Sequence, residues 1–246
     1  MGRNGRRLQS FQQFDVADDQ CGMKVGTDAL VLGCWAGEGM EGLARILDIG
    51  TGSGILALML AQRHEQAEVE AVELEPDAAK QAAANVAASP FSERISVHAM
   101  AIQAWTGDLV DLVVCNPPFF HNHPKSPERK RNLARHDDTL PLRVLFSEAK
   151  RVTHEAGVFQ FVFPTERAEE VRSLAEKEGW LFMQRISLAW SDMHEPIRDL
   201  WTWTKGTHLA LQPKSELRLM QDPNTGTWSS WLKPSLSNFL MNEPGS

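Results

Sequence analysis

The side chains best suited to chemistry fall in three short stretches. Asp111-Leu-Val-Val-Cys-Asn-Pro-Pro-Phe-Phe120 is an apolar run that halts on Asn116, Pro117, Pro118 and Phe119. Asp48-x-Gly50-x-Gly52-x-Gly54 is a glycine loop led by a carboxylate, and Glu73 stands nineteen residues after Gly54. Glycines so placed permit positive φ and let a ligand approach the main chain, while an acidic residue ending the next strand can accept hydrogen bonds from both ribose hydroxyls. The spacing G-x-G-x-G differs from the G-x-G-x-x-G of dinucleotide-binding loops. Either the glycines only make a tight turn and Glu73 is a solvated strand end, or the two hold a nucleoside-containing cofactor. Asn116, in register with both, favours the cofactor, because ligands of open α/β sheets bind just outside the carboxyl ends of the strands.

Each stretch needs a strand beneath it. Leu112 to Cys115 suit a strand covered on both faces, and Pro117 and Pro118, having no N–H, must end it at Asn116. Arg45 to Ile49 reads as the strand before the glycine loop and Ile55 to His64 as the helix after it. Glu68 to Glu73 is the next strand, followed by an alanine-rich helix from Pro76 to Ala88 with proline in its first turn. Arg94 to His98 and Leu109 to Cys115 follow as strands. Upstream, Thr27 or Asp28 would cap a short buried helix ended by the glycine-rich Gly37 to Gly42, and Met1 to Phe14 reads as a mobile basic arm. Downstream, Leu140 to Glu155 reads as a helix ended by Gly157, Val158 to Phe163 as a strand, and Glu166 to Glu178 as a helix. Leu181 to Trp190, Leu200 to Lys205 and Glu216 to Met220 are strand-like and predict an antiparallel hairpin closing the sheet edge. Thr225 to Leu240 predicts a last helix, interrupted by Pro234. The alternation predicts a single α/β domain over residues 1–246 with a doubly wound, mostly parallel sheet.

Composition sets limits on function. No apolar run reaches the roughly 18 residues needed to span a bilayer, and Leu8 to Gln20 is too polar for the core of a secretion signal. Cys21, Cys34 and Cys115 have neither even number nor metal spacing, which predicts structural thiols in a reducing, cytoplasmic compartment. A formal net charge of -7 argues against coating nucleic acid through the overall field. Two basic clusters remain, Arg3, Arg6 and Arg7 at the start and Lys125, Arg129, Lys130, Arg131 and Arg135 just after the Asn116 corner. His121, His123 and His136 lack the Cys or carboxylate spacing of a metal site, so no metal is expected.

Asp48 to Gly54, Glu73 and Asn116-Pro-Pro-Phe119, in this order, resemble the class I S-adenosylmethionine-dependent methyltransferases that act on a planar nitrogen. Phe14 to Asp28, Gly33-Cys-Trp35, Leu58 to Arg63, Ala71 to Glu75 and Glu93 to His98 look more narrowly like the bacterial tRNA(Val) adenine-N6 methyltransferases. The resemblance implies a Rossmann-like, seven-stranded fold, S-adenosylmethionine as cofactor and tRNA as partner, with methylation of the adenine 3′ of the anticodon. It further implies that Asp48, Gly50, Gly52 and Gly54 hold the methionine portion of the cofactor and Glu73 its ribose. Lys24, Gly26, Thr27 and Asp28 would close over the methionine end. Ala101 and Ile102 would contact the cofactor adenine through backbone, since Ala101 stands where the family often has an acidic residue. Asn116 matches the catalytic amide, whose side-chain oxygen, with the Pro117 carbonyl, would accept hydrogen bonds from the target amine.

That role is physically coherent. The lone pair of an exocyclic amine is delocalised into the ring, so a site that aligns it through acceptors can work without a strong base. Phe119 would stack on a flipped base, in a place where family members often carry tyrosine. The two basic clusters would then meet RNA phosphates. Other Asn-Pro-Pro methyltransferases, acting on rRNA guanine-N2 or adenine-N6 or on protein glutamine-N5, remain alternatives, as does a non-catalytic S-adenosylmethionine and RNA binder.

Overall fold

The glycine loop and the proline stop both lie where strands end in the computed structural model, which describes residues 8–118, 140–206, 213–222, 224–225 and 227–241. Ten strands are present among the described residues. β1 (Leu8–Ser10) and β2 (Asp15–Ala17) form a small antiparallel pair. β3 (Arg45–Ile49), β4 (Glu68–Glu73), β5 (Ile95–Ala99), β6 (Val110–Cys115), β7 (Thr153–Pro164), β8 (Leu181–Ala189), β9 (Arg198–Thr204) and β10 (Lys214–Leu219) build a sheet of 8 strands. Its order is β10-β8-β9-β7-β6-β3-β4-β5, and only β9 runs antiparallel to its neighbours. The helices are α1 (Thr27–Trp35), α2 (Ile55–Arg63), α3 (Pro76–Ala87), α4 (Leu142–Val152), α5 (Ala168–Lys177) and α6 (Lys233–Ser237). None is long and apolar enough to cross a membrane.

Period-two alternation sorts the strand residues onto two cores. Ile46, Leu112 and Val114 face α1 and α2, whereas Leu47, Val113 and Cys115 face α4 and α5. Burial of both faces explains why these strands read as unbroken apolar runs, and each fully buried Leu, Ile or Phe contributes about 1.5–3 kcal/mol.

Four expectations are corrected. Within the expected mobile arm, Leu8 to Phe14 are ordered: Phe11 and Phe14 are buried, their rings stack at 4.8 Å, and Phe11 bridges Leu240. α4 stops at Val152, where Thr153 turns into β7 and bonds the Ala149 carbonyl through its hydroxyl. Gly157 is therefore no helix cap. It lies inside β7, where a Cβ would come within 2.9 Å of the Asp111 carbonyl beside the register shift with β6. At the C-terminal end, β10 adds an eighth strand by pairing parallel to β8, an edge blunted by Lys214, Glu216 and Arg218. Only Lys233–Ser237 of the expected last helix is helical, with Pro234 in its first turn.

Candidate cofactor and catalytic site

β3 ends at Ile49 and the chain turns at once. Gly50, Gly52 and Gly54 have φ of 73°, 56° and 83°, a region that L side chains rarely adopt. A Cβ on Gly50 or Gly52 would meet nothing within 4 Å, so the space above them is open. The loop is pinned from below, since the Gly50 and Thr51 N–H groups donate to the Val72 carbonyl at 2.8 and 3.1 Å. Asp48 is wholly buried under it and accepts from the Thr51 hydroxyl at 2.6 Å. Burial pushes its carboxyl up to about 7; Glu73 adds to the rise, while the Thr51 hydroxyl and the Ala57 N–H oppose it.

Glu73 closes the next strand and is bound into the loop. One carboxylate oxygen accepts from the Gly52 N–H at 2.9 Å and the other from the Glu75 N–H at 3.0 Å. A carboxylate has about four acceptor positions, so two backbone bonds leave capacity for hydroxyl donors. Glu73 forms one wall of a cavity of about 310 Å³. Gly50 and Gly52 make its floor, Leu74, Met100 and Ile102 supply apolar surface, Gln20 to Met23 cross above it, and Pro118 and Leu140 border it toward β6. Open space over positive-φ glycines, a carboxylate wall and apolar side chains fit a ligand that joins a ribose to a flat apolar ring.

Register places the Asn116 corner beside this cavity. Ile49 pairs with both Cys115 and Val72, and Glu73 with Ala99, so β3, β4, β5 and β6 all end level. The side-chain Oδ1 of Asn116 is buried and has no hydrogen-bond partner among the described residues. Because leaving a buried acceptor unpaired costs about 1–3 kcal/mol, such an atom marks a place where a donor belongs. Pro117 behind it is buried, and Cys115 is held far above its usual pKa by burial, then by Asp48 and Glu73, so it stays a thiol. Cys34 and Cys21 are likewise free, buried and pushed up, to about 12 and about 11.

The structure brings some of the expected residues together and not others. Gly50, Gly52, Glu73, Ala101 and Ile102 line the cavity, Asp48 lies beneath its floor, and Gly54 precedes α2. Lys24, Gly26, Thr27 and Asp28 are not among the residues that line the cavity. Lys24 donates to the Asp18 carbonyl, Gly26 caps α1 in an extended conformation, and Asp28 pairs with Arg198 at 3.0 Å rather than capping the helix. Of the polar residues near Ala101, Gln103 lines the cavity, whereas Asp108 pairs with Arg45 at the opposite end of β3. Phe119, Arg3, Arg6, Arg7, Lys125, Arg129, Lys130, Arg131 and Arg135 lie outside the described residues, as do His121, His123 and His136. Among the described residues no group of three or more His, Cys, Asp or Glu could hold a metal ion. Motif reading passes over Gln81 and Asn85, two polar residues one helical turn apart that interrupt the alanine run of α3. That interruption is the signal by which they could be found.

Known proteins agree with this geometry. A family model described as methyltransferase small domain matches residues 26–168, which span the glycine loop, Glu73 and Asn116. The tRNA1(Val) (adenine(37)-N6)-methyltransferase of Tolumonas auensis is 45% identical over 177 residues, covering 72% of this chain and 74% of that one. The enzyme of the same name from Porphyromonas gingivalis strain W83 is 38% identical over 229 residues, 89% of each chain. Among solved structures, a predicted O-methyltransferase from Agrobacterium tumefaciens superposes with a TM-score of 0.63 at 18% identity, over 89% of this chain and 100% of that one, which bears on the fold alone. The chain belongs to the methyltransferase small-domain family of class I enzymes, whose methyl donor is S-adenosylmethionine.

Proposed function

We propose that this enzyme methylates N6 of adenine 37 in tRNA1(Val), working in the cytoplasm where its tRNA substrate resides. The observation that carries the reading is the buried, unpartnered Oδ1 of Asn116 at the end of β6, beside the cavity bounded by Gly50, Gly52 and Glu73. The relatives named above support the choice of tRNA and of the nucleotide. When bound, S-adenosylmethionine supplies a methyl group on a positively charged sulfur.

The chain's own residues do the rest. Gly50, Gly52 and Gly54 with Asp48 hold the methionine portion, Glu73 accepts from the ribose hydroxyls, and Ala101, Ile102 and Gln103 border the adenine. Lys24, Gly26, Thr27 and Asp28 anchor the segment that lies over the methionine end. Asn116 Oδ1 and the Pro117 carbonyl would accept from the two N–H groups of the target amine and so aim its lone pair at the methyl; as the N–C bond formed the S–C bond would break to leave a neutral thioether, and the cationic nitrogen would then lose one proton to water. Phe119 stacks on the flipped base, and Arg3, Arg6, Arg7, Lys125, Arg129, Lys130, Arg131 and Arg135 neutralise RNA phosphates.

The test is to incubate the full chain with labelled S-adenosylmethionine and unmodified tRNA1(Val) transcript, and to map modified nucleosides by mass. N6-methyladenosine at position 37 is expected. Label on guanine, on protein, or on an adenine elsewhere would overturn the substrate assignment.

A further inference from the structure

We infer that residues 17–23 form a strap across the cofactor cavity, closed by two side-chain amides of α3, Gln81 and Asn85, and that Asn85 ties this strap to the glycine loop. The inference rests on reading the cavity as the cofactor site. Asn85 Oδ1 accepts from the Ala17 N–H at 3.0 Å, and its Nδ2 donates to the Ala17 and Ser53 carbonyls, both at 2.8 Å. One amide thus holds the start of the strap and the glycine loop in fixed relation. Gln81 Oε1 accepts from the Gln20 N–H at 2.9 Å and from the Cys21 thiol at 3.2 Å, while its Nε2 donates to Asp19 at 2.7 Å.

Both amides are buried, at 7% and 6% exposure, in a helix whose other buried side chains are Ala78, Ala79, Ala82 and Val86. Burying an amide costs free energy unless its hydrogen bonds are made, and here the bonds go to the strap and loop rather than to the helix's own core contacts. At the strap's base the buried Asp18 accepts from the Val25 N–H at 3.0 Å, and its carbonyl takes Lys24. Gln20, Cys21, Gly22 and Met23 then cross the cavity, with Met23 40% exposed. Gln81 and Asn85 are positioning residues: they touch no ligand, and act by fixing the roof against the floor.

Cys21 reports on the strap, with Cys34 and Cys115, buried in the core, as internal references. Iodoacetamide labelling of each cysteine is followed by mass spectrometry in the full chain, and the Kd for S-adenosylhomocysteine is measured by calorimetry. Asn85→Ala is expected to speed labelling of Cys21 alone and to weaken S-adenosylhomocysteine binding, each about tenfold, since it removes three buried hydrogen bonds. Asn85→Asp, which keeps the acceptor for Ala17, should fall between, and Gln81→Ala should give the same selective labelling if Asn85→Ala does not fold. A rise shared by all three cysteines means general loosening and overturns the strap. Selective labelling of Cys21 with an unchanged Kd overturns its link to the cofactor. Failure of the wild-type chain to bind S-adenosylhomocysteine overturns the cavity reading itself, which labelling without ligand does not depend on.

Discussion

Around β3 and β4 alanines are interspersed among the buried side chains that cover the sheet, whereas around β7 and β9 large aromatic ones dominate. Ala57 and Ala61 of α2, Ala71 of β4 and Ala79 and Ala82 of α3 let the backbone layers approach closely, and among them lie the buried polar groups Asp48, Thr51, Ser53, Gln81 and Asn85. On the other side Phe159 and Phe161 stack at 4.8 Å, Trp201 and Trp203 at 5.6 Å, and Phe146 meets Phe159, Phe161 and Trp203 edge-on. Such pairs add about 0.5–1.5 kcal/mol each beyond their buried area. The difference separates two tasks. The aromatic half anchors β6 and β7 from one side, and the small-residue half leaves main chain and polar atoms free to meet a ligand at the strand ends.

Breaking the aromatic half should cost stability and spare the site. Trp203→Ala is expected to lower unfolding free energy by about 4 kcal/mol in denaturant melts, with the Kd for S-adenosylhomocysteine of the folded protein unchanged. Trp203→Phe is the control. The indole N–H of Trp203 is buried and has no partner among the described residues, so losing it offsets part of the lost volume and the change should stay within about 1.5 kcal/mol. Weaker cofactor binding in Trp203→Ala would show that the two halves are not separate.

The reverse pattern is expected at Asn116. Asn116→Ala should reduce kcat for tRNA methylation by about 10²–10³-fold while cofactor Kd stays within error and the unfolding midpoint does not fall. Removing an acceptor that has no partner among the described residues gives folding nothing to lose. Unchanged turnover would take Asn116 out of the mechanism. At Glu73 the effect should be smaller and lie in binding. Glu73→Ala loses the acceptor for the Gly52 and Glu75 N–H groups as well as for a ribose, and is expected to weaken S-adenosylhomocysteine about tenfold or more by calorimetry. Glu73→Gln, which keeps one acceptor, should recover part of the loss.

How far the sequence alone revealed these two halves follows from the range of the contacts that shape them. The glycine loop, the run into α2 and the stop at Asn116 are set by neighbours within a few residues, through positive φ and missing N–H groups, and all appear where they are expected. Glu73 was legible as a strand-end carboxylate, but its bonds to Gly52 were not, because they cross twenty-one residues. Phe11 pairing with Leu240, β10 joining β8, and Gly157 serving a strand rather than a helix end depend on partners that no local pattern names. The strap falls in the same class, since Asn85 reaches Ala17 across sixty-eight positions.

Asp48 gives the finest test of the contrast. In the aromatic half the buried Asp199 lies 2.8 Å from the Arg185 guanidinium, whereas Asp48 leans only on neutral donors, the Thr51 hydroxyl and the Ala57 N–H. Its folded pKa is about 7 against an ordinary 3.8, chiefly through burial. Between those values the folded chain keeps a proton that the unfolded chain has released, so stability from this group is full below about 3.8 and is lost as pH rises through about 7. Above that pH both states are ionised and the dependence levels off. Asp48→Asn removes the titration and keeps an acceptor for Thr51. In ligand-free thermal melts the wild-type Tm should fall relative to Asp48→Asn between about pH 4 and pH 7, by several degrees at about 2–4 °C per kcal/mol for a chain of this length, and then run parallel to it. A constant difference across that window would mean that Asp48 stays ionised, and that the small-residue half supplies its carboxylate with more compensation than a hydroxyl and one amide.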